Sequence, residues 1–189
     1  MAALLCGRMD RDAYLALLHN LHAIYAALEP ALQRHAAHPA IAPFDLAPLL
    51  RSQSLLDDMA ALDDAPRRFA PDRLEPACSG YVERLHALDA TQPGLLLAHA
   101  YVRYLGDLSG GQLLRPIVAR SLRLPPGVGT AFYDFGDAPA TNALTLAFRV
   151  GLARAVVDDD GALVAEAKWA FERHRKLFDE LALTCSVDA

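Results

Sequence analysis

The sequence predicts an all-α protein of one domain, and three observations carry that prediction. Apolar residues recur at three- and four-residue spacing through most of the chain. The composition is rich in Ala and Leu, with 53% apolar but only 7% aromatic residues. No linker, repeat or low-complexity tract divides the 189 residues, enough for a sizeable core in one unit. A net charge of -5 leaves no basic excess to neutralise phosphates, which argues against nucleic acid as a partner. Cys6, Cys78 and Cys185 are odd in number and far apart, without a Cys-x-x-Cys pair. They suggest neither a disulfide framework nor a zinc site and fit a reducing cytoplasm. The five-residue apolar run in MAALLCGRMD is too short for a signal peptide, and Arg149 and Arg154 interrupt the apolar stretch 143–157. No membrane span is expected.

The first helix is expected to begin near Asp10, a plausible N-cap, with Asp12 favourable in the first turn. Tyr14, Leu17, Leu18, Leu21, Ile24, Tyr25, Leu28 and Leu32 form one apolar stripe. Pro30 removes a ladder hydrogen bond, so a kink is expected there, and the helix should stop by Pro39. After the loop HPAIAPFDLAP, a second helix is expected over about 46–62, followed by the turn-rich connector DDAPRRFAPDRLEP. A third should cover about 76–89, and a fourth, the longest, about 94–123. LPPGVGTAFYDFGDAPA reads as irregular, extended around 131–135. The fifth helix is expected at about 139–157 and the last at about 161–182, with Val164, Ala167, Phe171, Leu177, Phe178 and Leu181 on its inner face.

The fourth helix carries the anomaly. Its middle, YLGDLSGGQ, holds Gly106, Gly110 and Gly111, each costing a helix interior about 1 kcal/mol relative to Ala. Four-residue spacing relates 106 to 110 and 107 to 111, so these residues share one side of the helix. Bare backbone there serves either a crossing helix or a ligand that must approach the main chain. A phosphate cradle does not fit, because no Lys-Ser/Thr pair follows the glycines and no strand precedes them. Asp107 likewise has two readings: a surface pair with Arg103, four residues earlier, or a carboxylate facing the notch to hold water or a proton.

LLLAHAYVRYLGDLSGGQLL, residues 95–114, resembles the distal-helix signature of the biliverdin-producing haem oxygenases. The resemblance continues in order through DRDAYLALLHNLHAIYAALE, LLRSQSLLDDMAAL, GYVERLHALDATQPGLLLAHAY, LPPGVGTAFYDF and EAKWAFERHRKLFDEL, so nearly the whole chain is covered. It implies an all-α haem-oxygenase-like fold that clamps haem between a proximal and a distal helix. The activity implied is opening of the haem ring to biliverdin, carbon monoxide and ferrous iron. Haem would be substrate and cofactor, O2 the co-substrate, and a reductase or ferredoxin the electron donor. A non-catalytic haem-binding or sensor relative on the same fold is the alternative. A helical enzyme for another small molecule is a third possibility, which should lack the GDLSGG core.

By the same resemblance, Gly106, Gly110 and Gly111 are the surface against which haem lies. Asp107 matches the distal Asp that organises water and delivers a proton to the activated oxygen. Tyr101 and Arg149 match positions that bind the haem propionates, and both donate readily to carboxylates. Tyr104 is read as lining the distal face, Phe171 and Phe178 as apolar pocket walls, and His99 as structural. Arg115, Arg120 and Arg123 are either a docking site for an acidic electron donor or a solvated helix face. The family takes its iron ligand from a His on a first helix, which would precede Gly7; MAALLC corresponds only to the stretch joining that helix to the next. The chain is therefore expected to be N-terminally incomplete relative to the family, and none of its seven histidines is assigned to the metal. His86 and His174 are expected on polar helix faces.

Overall fold

In a computed structural model, residues 10–62 and 74–184 are described, with side chains to residue 181. The readings for MAALLC, Cys6, Cys185 and most of the connector after residue 62 lie outside the described residues. Six α-helices occur among those described: α1 (Arg11–Arg34), α2 (Ser52–Leu62), α3 (Pro76–Thr91), α4 (Leu96–Ser121), α5 (Ala138–Arg154) and α6 (Asp160–Thr184). Short 3-10 turns cover Ala47–Leu49, Pro93–Leu95 and Ala131–Tyr133. None of these helices is long and apolar enough to cross a membrane.

α1 starts where its signals place it. Asp10 accepts a hydrogen bond from the Ala13 N–H at 2.8 Å, satisfying a donor that the first turn leaves free. The helix continues through Pro30 to Arg34, and all eight apolar stripe residues are buried. α1 packs on α2 and α3, while α6 packs on α3 and α4.

The single helix expected over 46–62 is two elements. Leu50 is extended (φ -60°, ψ 133°) between the Ala47–Leu49 turn and α2. The break is stabilised from outside: the buried Glu29 of α1 accepts the Arg51 N–H at 2.5 Å and the Ser52 N–H at 3.2 Å, and Ser52 Oγ–H also donates to it. A carboxylate from another helix thus caps α2, which no local signal announces. The freed Arg51 side chain donates to the carbonyls of Leu50 (2.6 Å) and Asp134 (2.9 Å).

The expectation of an extended 131–135 also fails, because Ala131–Tyr133 forms a 3-10 turn. Asp58 of α2, 1% exposed, accepts the Ala131 and Phe132 N–H groups at 2.7 and 2.8 Å. Gly129 enters this turn at φ +67°, and a Cβ there would meet Leu62 side-chain atoms at 2.8–2.9 Å. Only glycine satisfies both the backbone angle and the contact. The last helix differs from expectation on one side: Leu177, Phe178 and Leu181 are buried, but Val164 and Phe171 are 52% and 66% exposed. They face a trough, not the core.

Candidate functional site

α4 runs between α1, α6 and the 131–133 turn, and its weakest stretch faces open space. Gly106, Asp107 and Gly110 line a cavity of about 280 Å³. Leu17 and Leu21 of α1, Phe132 and Tyr133 of the turn, and Phe171, His174 and Phe178 of α6 complete the walls. No heavy atom lies within 4 Å of where a Gly106 Cβ would stand, and only a Leu114 methyl, at 3.9 Å, approaches that of Gly110. Gly111 is different. It is buried, and its Cβ would lie 3.1 Å from the Tyr133 carbonyl oxygen. The close contact that a small residue allows is made at Gly111 by the 131–133 turn, not by a crossing helix. Gly106 and Gly110 leave a wall bare, while Gly111 admits the turn that packs behind it.

Asp107 and Arg103 do pair, at 3.2 Å, but not on the surface: their side chains are 12% and 3% exposed. The pair is part of a closed ring. Arg103 Nη2 donates to Asp107 Oδ1, the Tyr25 O–H donates to Asp107 Oδ2, and Arg103 Nε donates to the Tyr25 oxygen at 3.3 Å. The remaining arm, Nη1, reaches His174 Nδ1 at 2.8 Å. A guanidinium has a rigid fork and no acceptor, so it fixes all three partners at once. Because Arg103 only donates, His174 receives this bond on an unprotonated ring nitrogen. Burial, reinforced by Arg103, holds the His174 imidazole well below its usual range, hence neutral. Burial pushes the Asp107 carboxyl well above the usual carboxylate range.

A second cavity, about 440 Å³, adjoins the first through Val102 and Phe171. It lies between the start of α4, the end of α5 and the first half of α6, and its walls are apolar except for Tyr101 and Lys168. Together the two cavities make an apolar trough along α4, with Asp107 in one part and a cation in the other. Among the described residues, no cluster of three or more His, Cys, Asp or Glu could hold a free metal ion. The trough suits a flat apolar ligand instead: bare backbone on one wall, Phe171 and Phe178 on another.

The predicted residues separate accordingly. Gly106, Asp107, Gly110, Phe171 and Phe178 meet at the smaller cavity, and Tyr101 lines the larger one. Tyr104 is fully buried and packs on Tyr25 and Phe148, with ring centroids 6.0 and 6.3 Å away; it lines neither cavity. Arg149 is exposed on α5 and also lines neither. Arg115 pairs with Asp134 at 2.8 Å, and Arg120 and Arg123 are exposed. His99, fully buried, meets Glu166 at 3.0 Å, and Arg84 holds the same carboxylate at 2.6 Å, tying α3, α4 and α6 together. Sequence reasoning missed Tyr25, which it absorbed into an apolar stripe, and His174, which it placed on a polar face. The stripe carries two phenols, Tyr14 and Tyr25, and spacing alone does not single out the one that reaches Asp107.

The described residues thus form an all-helical protein with a ligand-sized apolar trough, bare backbone on one wall and a clamped carboxylate within it. A family model described as Heme oxygenase matches residues 1–180. Heme oxygenase 1 of Nostoc sp. is 37% identical over 177 residues, covering 93% of this chain and 74% of its own length. The heme oxygenase of Rhodella violacea is 36% identical over 180 residues, covering 93% and 75%. Among solved structures, heme oxygenase-1 from the cyanobacterium Synechocystis in complex with heme superposes with a TM-score of 0.87 at 33% identity, over 98% of this chain and 86% of that one. The heme oxygenase of Leptospira interrogans gives 0.86 at 32%, over 95% and 88%. The chain belongs to the heme oxygenase family, enzymes that open the haem ring to biliverdin, carbon monoxide and ferrous iron.

Proposed function

We propose that the trough along α4 binds haem as both substrate and cofactor, and that the chain opens the haem ring to biliverdin with O2 and electrons from an external reductase or ferredoxin. Bound haem supplies the iron at which oxygen is activated and the ring that is cleaved. The observation that carries this reading is the wall formed by Gly106, Asp107 and Gly110. Two positions without side chains flank a carboxylate that Arg103 and Tyr25 hold in place.

The chain's own residues then have distinct tasks. Gly106 and Gly110 let a planar ring approach the α4 backbone, where a methyl group at either position would stand between them. Phe171 and Phe178 cover apolar ring surface and exclude water from it. Asp107 holds and passes on a proton at its carboxyl oxygens, poised by a raised pKa, and its orientation is fixed by Arg103 Nη2 and the Tyr25 hydroxyl. His174 restrains the far side of the Arg103 fork. Tyr101 offers its phenol to a haem carboxylate. The exposed Arg120 and Arg123 provide positive charge for an acidic electron donor.

The experiment is direct. The protein is mixed with haemin and its Soret band followed, and reductant and O2 are then added while biliverdin is measured. A Soret shift followed by biliverdin supports the proposal. Binding without ring opening would identify a non-catalytic relative, and no binding would refute the assignment of the trough to haem.

A further inference from the structure

His174 lines the smaller cavity together with Arg103 and Asp107, and its hydrogen bonding is incomplete. Two contacts fix the imidazole. From α4, Arg103 Nη1 lies 2.8 Å from Nδ1 and 3.2 Å from Nε2. Phe178, one helical turn further along α6, packs against it nearly at right angles, with ring centroids 4.8 Å apart and planes at 88°. Arg103 can only donate, so the ring nitrogen that it bonds carries no proton. A neutral imidazole keeps one proton, which must then sit on the other nitrogen. That N–H needs an acceptor, and Arg103 has none. Among the described residues nothing else hydrogen-bonds to His174. The cavity wall offers little competition. Leu17, Leu21, Phe132 and Phe171 are apolar, and the Asp107 oxygens are engaged, Oδ1 by Arg103 and Oδ2 by Tyr25. His174 is only half-buried, and its ring forms part of the wall, so the unused N–H is available to whatever occupies the cavity. The neighbouring guanidinium adds positive charge, so this corner favours an electron-rich partner.

We propose that His174 is a binding residue of the trough: held in one tautomer by Arg103, it donates its remaining ring N–H to a small anion or oxygen ligand that shares the smaller cavity with haem. The proposal rests on the haem reading and deepens it, because it gives the co-ligand a donor of its own beside the Asp107 carboxyl. Arg103 then serves both residues, orienting Asp107 with Nη2 and fixing the His174 tautomer with Nη1.

Absorbance titration of the haemin-loaded protein with sodium fluoride, a strong hydrogen-bond acceptor, reads this contact. Carbon monoxide on the reduced protein, a poor acceptor, is the control. His174→Phe keeps a flat ring against Phe178 and removes the N–H. It is expected to weaken fluoride about tenfold, as loss of one hydrogen bond to a charged group does, and to leave carbon monoxide within about twofold. His174→Gln, whose amide can both accept from Arg103 and donate, should stay near wild type. The fluoride loss should persist when His174→Phe is combined with Asp107→Ala, because the contact does not run through Asp107. A Soret band shows that each variant is folded and holds haemin, and His174→Met replaces the Phe variant if that protein does not. Unchanged fluoride affinity in His174→Phe, an equal loss in His174→Gln, or equal weakening of fluoride and carbon monoxide would overturn the proposal. So would disappearance of the loss in the Asp107→Ala background. Failure of wild type to bind haemin would instead refute the haem reading, and this inference with it.

Discussion

Alanine at Gly106 and at Gly111 should have opposite consequences, although the two sites lie five residues apart in one helix. Each substitution gains about 1 kcal/mol of helix propensity. At Gly106 nothing stands within 4 Å of the new methyl, so the gain is kept. For a chain of this size it raises Tm by about 2–4 °C. At Gly111 the methyl would meet the Tyr133 carbonyl oxygen at 3.1 Å and its Cα at 3.5 Å. That backbone cannot easily recede, because Asp58 holds the N–H groups of Ala131 and Phe132. Overpacking of this kind costs about 1–3 kcal/mol, which cancels or reverses the propensity gain. Ligand binding should follow the reverse pattern. The Gly106 methyl projects into the trough and should weaken haemin binding by on the order of tenfold, whereas the Gly111 variant, if folded, should bind nearly as wild type. Thermal unfolding and a haemin titration measure both effects. A Gly106→Ala protein that gains stability and binds haemin undiminished would refute the view that this glycine is bare for a ligand. A Gly111→Ala protein as stabilised as Gly106→Ala would refute the packing account.

Arg103→Met removes the donor to three partners and leaves Asp107 with Tyr25 alone. We expect a loss of about 1–3 kcal/mol in chemical denaturation, the cost of leaving buried polar partners unsatisfied. Glu29→Ala uncaps α2 and leaves the Arg51 and Ser52 N–H groups without that acceptor; unfolding should show a cost of about 2 kcal/mol, the upper end for a cap. His174 is held neutral in the fold, so below pH 6.5 the unfolded chain binds a proton that the native state refuses. Its contribution to stability is full above that pH and falls by up to about 1.4 kcal/mol per unit as the pH drops, and His174→Gln should flatten the stability profile in that window.

Much of the architecture was legible because it follows local rules. The α1 stripe, its Asp10 cap and the helical content at 76–91 and 96–121 need only spacing and end signals. The failures share a physical cause, a group distant in sequence that overrides the local pattern. Residues 46–62 read as one helix until Glu29, more than twenty positions away, captures the backbone at 51 and 52. The 131–133 turn depends on Asp58, 73 positions earlier than Ala131. The site shows the same division. The glycines and Asp107 stood out as an anomaly within one helix, and the family resemblance supplied the rest. Tyr25, Arg103 and His174 come together from three helices, a convergence that helical spacing alone does not encode. Val164 and Phe171 satisfied the apolar period of α6 and looked like core, but periodicity cannot tell a core face from the wall of a trough.

The most direct test of the central claim, that Asp107 manages a proton beside a haem lying on a bare helix wall, is single-turnover ring opening by Asp107→Ala compared with wild type, in protein shown by its Soret band to hold haem. The account predicts that haem binding persists while the biliverdin formation rate falls by on the order of 10²–10⁴, the usual contribution of a positioned proton donor. Biliverdin formed at the wild-type rate and yield by haem-loaded Asp107→Ala would contradict it.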